Sequence, residues 1–161
     1  MRGIWLLPAF VAAYSRLAVF KASPAGTEGG MRISRNSDRP AGPGPQKYFT
    51  GDVIMKQLFG PVGSSNTLGG QMTFTACART LWHTHPAGQT LIVTSGTGWV
   101  QEWGGAKQEI HAGDVVWTPP GVKHWHGATT SGEMTHIAIQ DMVDGRFIDC
   151  MEQVSDEHYL G

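Results

Sequence analysis

From Tyr48 to Gln140 no apolar run is long, and each is cut short by glycine, proline or an Asx turn. Runs fit to be strands fall at 49–55, 71–76, 81–85, 90–95, 98–103, 107–110, 114–118 and 135–140, with a loop at 60–70. No amphipathic helical pattern lies among them. A chain of many short strands joined by tight turns must bury its apolar faces in a sandwich or a closed barrel. The 22 glycines and 9 prolines supply those turns, so the fold class read here is all-β.

The flanks have a different character. Residues 34–47, with Pro40, Pro43 and Pro45, read as an extended arm without regular structure. Beyond Asp144-Gly145, residues 149–154 suit a short helix. Ser155 suits the N-cap of another, with Asp156 and Glu157 in its first turn. Residues 4–13 form an apolar run behind Arg2, interrupted by Pro8 and too short to span a bilayer. The leading reading is that translation starts at Met31. A true tail, and a signal or anchor that would allow export, are the alternatives. The domain boundaries are therefore 1–30 as an upstream or tail segment, 31–46 as the arm, and 47–161 as the folded domain.

Net charge is −1, which gives no electrostatic case for nucleic acid or an anionic membrane as partner. Two cysteines, Cys77 and Cys150, do not make a disulfide framework. They read as reduced, partly buried thiols, consistent with a cytoplasmic protein.

Seven histidines are the unusual feature, most of them between His83 and His136. In a strand, residues two apart share a face, so His83 and His85 can turn both imidazoles inward. Pro86-Ala87-Gly88 makes a turn that returns Gln89 to the same side. A second strand, opened by Gly113-Asp114, ends in Pro119-Pro120-Gly121 and delivers His124. Three imidazoles and a carbonyl-type oxygen form a four-ligand set for one divalent transition metal per chain.

These residues resemble the paired motifs of the cupin superfamily. The first reads Cys77-x5-His83-x-His85-x3-Gln89-x6-Gly96, and the second Gly113-x5-Pro119-x-Gly121-x2-His124-x3-Ala128. Cys77 stands where the pattern has Gly, Gln89 where it has Glu, and Ala128 where it has Asn. The motifs cover residues 70–140. A narrower resemblance, from near Met31 almost to the end, is to small bacterial cupins that include the manganese-dependent hydroxynitrile lyases. The segments 82–99, 113–117, 123–127, 134–140 and 151–159 carry it.

The resemblance implies a double-stranded β-helix (jelly-roll) barrel with a short C-terminal helical segment. It implies manganese first and iron next as the metal, a small-molecule substrate, and a homo-oligomer. It also implies cyanohydrin cleavage or formation, with the metal as Lewis acid and His136 as general base. His126, Gln140 and Met72 are read as the substrate pocket, while His111 and His158 face solvent. The alternatives are a metal-dependent dioxygenase, decarboxylase or isomerase on the same site, or a small-ligand-binding protein without turnover. Gln in place of Glu leaves the metal its full formal charge, which favours polarising a substrate oxygen over activating dioxygen. The tryptophans read as barrel packing.

Overall fold

The computed structural model of the protein describes residues 30–161; the apolar run and the other readings made on residues 1–29 lie outside them. Twelve strands follow in order: β1 (Gly42–Pro43), β2 (Phe49–Thr50), β3 (Val53–Phe59), β4 (Thr67–Phe74), β5 (Arg79–Thr80), β6 (His83–Thr84), β7 (Gln89–Glu102), β8 (Gln108–His111), β9 (Val115–Thr118), β10 (His124–Ala128), β11 (Met134–Asp141) and β12 (Asp149–Cys150). Among the described residues one short helix, α1 (Asp156–Leu160), follows the strands. The main sheet path is β1-β3-β4-β11-β7-β10-β5-β2, with β8 and β9 on β7, and β6 bridging β10 to β12. Every pairing is antiparallel, and the path curls into the half-barrel of a double-stranded β-helix.

Strand β7 organises the barrel. Its first part pairs β11 and β9, and its second part pairs β10 and β8. The sequence suggested two strands here, broken at Gly96-Thr97, but the ladder runs on through 14 residues. Gly96 makes this possible: its φ is +73°, and a Cβ there would sit 1.9 Å from the Glu133 carbonyl oxygen. Between the two walls pack Phe49, Val53, Met55, Phe74, Val93 and Met134. A second cluster, Trp82, Trp125, Val154 and Tyr159, seals the tail against the outside of the barrel. Arg79 ties that tail down. Its buried guanidinium donates to the Val154 carbonyl at 3.0 Å and to Asp156 at 2.6 Å, and it lies over the Tyr159 ring.

Several sequence readings need correction. The arm is not wholly irregular, because Gly42–Pro43 pairs with β3 and single turns of 3₁₀ helix form at Asn36–Asp38 and Gln46–Tyr48. The supposed loop at 60–70 already enters β4 at Thr67. Residues 149–154 are not helical. Cys150 pairs with His83, and Trp82 exchanges backbone bonds with Met151 and Glu152, so ladder bonding to the barrel outweighs local preference. The helix after Ser155 does form, and the Ser155 hydroxyl accepts from the His158 amide. Trp82 and Trp125 are packed as read, but Trp103 and Trp117 are 54% and 59% exposed. The two thiols are free; Cys77 lies exposed, while partial burial pushes the Cys150 thiol up to about 11. Among the described residues no helix is long and apolar enough to cross a membrane.

Candidate metal centre

Strand β10 is the hinge of the site. Its register sets His124 opposite His83 on β6, so the two imidazoles fall on one face with ring centroids 4.3 Å apart. His85 follows β6 by one residue and turns its ring to the same place. Each of the three histidines offers a ring nitrogen within 4.8 Å of the others, and all three are buried.

The tautomers follow from the backbone. A carbonyl only accepts, so Nδ1–H of His83 donates to Leu81 at 2.9 Å, that of His85 to Phe147 at 2.5 Å, and that of His124 to Val122 at 3.0 Å. With every Nδ1 holding its proton, every Nε2 is left with a bare lone pair facing inward. His85 Nε2 is buried without any partner. His124 Nε2 faces Gln89 Oε1 at 3.2 Å, two acceptors with no proton to share. Buried lone pairs converging in this way leave a debt that a cation settles, so the residues present fit a divalent metal.

Two turns deliver these side chains, and both hang from one atom. The His85 carbonyl accepts from Gly88 at 3.2 Å and from Gly121 at 3.0 Å. Gly88 has φ +79°, and a Cβ there would meet the Trp117 ring and the Thr118 carbonyl oxygen. The leading position of the first motif explains itself too: Cys77 adopts φ +69°, the left-handed conformation a glycine takes freely.

Gln89 and Gln140 are both buried, and the Gln89 amide donates to Gln140 Oε1 at 3.2 Å. His126 and His136 are equally buried, with His136 Nε2 and His126 Nδ1 sharing one proton at 3.2 Å. A tight cavity of about 50 Å³ opens beside the cluster. His83, His85, Gln89, His126, Gln140 and Met72 line it. His136 stands behind His126 and does not line it. The sequence reading missed the rest of the wall, including Tyr48, Phe49, Phe147 and Ile148. These come from segments flanking the barrel motifs, and apolar side chains there carry no chemical signature. His111 and His158 are exposed, as read.

Burial holds the site's imidazoles neutral. It takes His85 down to about 4 and His136 down to about 3. For His83 and His126 it drives the pKa well below 6.5, and the neighbouring histidines add to the effect. His124 is lowered by burial as well, against the pull of its backbone bond and of Glu102 across the strand pair. Neutral imidazole is the form that ligates a metal and accepts a proton.

The chain is 53% identical over 129 residues to an (R)-mandelonitrile lyase from Granulicella tundricola, which spans 80% of this chain and 98% of the relative. It belongs to the cupin family. The family model for the cupin domain matches residues 70–139 of this cupin. A cupin-like protein from Thermotoga maritima superposes with a TM-score of 0.68 at 41% identity, over 73% of this chain and 89% of that one. A cupin 2 conserved barrel domain protein from Rhodopseudomonas palustris gives 0.59 at 15% identity, over 74% and 80% of the chains, a likeness of fold alone.

Proposed function

We propose that this cupin is a metal-dependent lyase that cleaves and forms cyanohydrins, with His83, His85, Gln89 and His124 holding one divalent ion, manganese first and iron next. The observation that carries the reading is the set of three buried imidazoles whose Nδ1 protons are spent on backbone carbonyls, in a chain 53% identical to a mandelonitrile lyase. The bound cation would act as a Lewis acid that lowers the pKa of a substrate hydroxyl.

The chain's own groups do the rest. With His126 Nδ1–H donating to His136 Nε2, the His126 Nε2 lone pair faces the cavity and takes the hydroxyl proton. The Nδ1 proton passes on to His136, which is the ultimate base. The C–C bond then breaks, its electron pair leaves with cyanide, and the oxygen's electron pair forms the carbonyl. The proton returns through the pair to cyanide, so a cyanohydrin becomes a carbonyl compound and hydrogen cyanide. The cavity of about 50 Å³, with Met55 and Met72 in its wall, is the space that would take the substrate's substituent.

The same reading makes residues 47–161 the cupin domain and 31–46 an arm. It has the protein act as a homo-oligomer in the cytoplasm on small-molecule substrates. Elemental analysis after purification with manganese supplied, beside His83→Ala, tests it. About one ion per chain, lost in the variant, supports the centre. Turnover of the acetone cyanohydrin then tests the lyase. No metal in either sample removes the Lewis-acid mechanism, and metal without turnover returns the site to other cupin chemistry.

A further inference from the structure

A carboxamide can present either of its ends, and only one end of Gln89 can ligate a cation. The amide end, turned toward His124, would find a bare Nε2 lone pair and donate to it. Without a metal that flipped state is locally the better hydrogen bond. The structure nevertheless has Oε1 toward His124, at 3.2 Å, and the amide turned away to Gln140 Oε1, also at 3.2 Å. Gln89 and Gln140 are 3% and 4% exposed, so bulk water does not decide between the two states. The neighbour does. Gln140 sits on β11 and Gln89 at the start of β7, and these strands pair in register from His136–Val93 to Ile139–Thr90, so the ladder ends beside the two glutamines and holds them in contact.

We infer that Gln140 is a positioning residue for the metal centre: by accepting from the Gln89 amide it holds Gln89 Oε1 toward the three histidines, and thereby sets the affinity for the cation. This rests on the metal reading proposed above, and concerns a role distinct from contact with substrate. A neutral ligand needs such a partner because its two ends are sterically alike. A carboxylate at position 89 would not, since both of its ends are oxygen.

The test measures the manganese(II) dissociation constant by competition with a fluorescent chelator, for the wild type, Gln140→Met, Gln140→Glu, Gln89→Glu and the double variant Gln89→Glu/Gln140→Met. Methionine keeps the volume and loses the acceptor. Gln140→Met is expected to weaken binding about 10- to 100-fold, the usual effect of removing an outer partner of a ligand. Gln140→Glu, which offers only acceptors, keeps wild-type affinity or exceeds it. In the Gln89→Glu background the same Gln140→Met change costs less than about threefold, because coupled sites are non-additive.

Unchanged affinity in Gln140→Met overturns the inference. So does an equal loss in the Gln89→Glu background, which would mark general damage to the cavity. If Gln140→Met does not fold, Gln140→Glu decides: retained affinity supports the inference and a tenfold loss overturns it. A wild type that binds no manganese defeats the metal reading itself, an outcome distinct from wild type and Gln140→Met binding alike.

Discussion

His126 stands between His136 and the cavity, with its Nδ1 3.2 Å from His136 Nε2 and its own Nε2 buried without a partner. Either histidine alone would be a buried imidazole; together, on the proposed mechanism, they would form a route for one proton. Replacing His126 or His136 by Ala is expected to lower kcat for cyanohydrin cleavage by about 10²- to 10⁴-fold. Metal content should stay at the wild-type value in both. Full turnover in either variant would remove that residue from the proton path.

Acid should unfold the metal-free protein early. Burial lowers the pKa of all five site histidines, His85 to about 4 and His136 to about 3, whereas in the unfolded chain each returns to 6.5. Between those values the unfolded chain binds more protons, so stability is full above pH 6.5 and falls as pH drops toward 4. Each histidine in that window removes roughly 1.4 kcal/mol per pH unit. Thermal melts of the chelator-treated protein at pH 7.5, 6 and 5 should show a progressive fall. A flat profile would mean that these imidazoles are not held neutral by the fold.

Pocket size should be adjustable at Met72. Its side chain lines a cavity of only about 50 Å³. Met72→Ala is expected to raise kcat/KM for mandelonitrile relative to the acetone cyanohydrin by about 10-fold or more, within the range that a few methylenes contribute to discrimination. An unchanged ratio would place the aryl group elsewhere.

The C-terminal tail should depend on Arg79 far more than on its carboxylate partner. Arg79 is 5% exposed on its side chain and Asp156 is 84% exposed. Arg79→Ala leaves the Val154 carbonyl unsatisfied and uncovers Tyr159, at an expected cost of about 3 kcal/mol, or roughly 10 °C in melting temperature. Asp156→Ala should cost less than about 1 kcal/mol, as exposed ion pairs do. Denaturant melts of the two variants check the contrast, and equal losses would refute it.

The barrel and the histidine cluster were legible because both are written in spacing. Alternation exposed most strands, and His83, His85 and His124 sit at intervals that only a strand and a rigid turn can bring together. Strand β10 was not read as a strand because its alternation is confined to His-Trp-His before Gly127, and the burial of both of its faces is set by its neighbours. The order of His126 and His136 relative to the cavity was equally hidden. Periodicity puts both inside the barrel, but which stands in front depends on side-chain packing across three strands. Pairing with β6, which no local pattern encodes, took residues 149–150 away from the expected helix.

The His85 carbonyl oxygen holds both Gly88 and Gly121, so the turn that presents Gln89 and the turn that presents His124 share a single anchor. A residue inserted into either turn would pull on that anchor and misalign the proposed ligands Gln89 and His124 together. The two turns, at Gly88 and Gly121, therefore behave as one mechanical part, and a change in the length of one must be answered in the other.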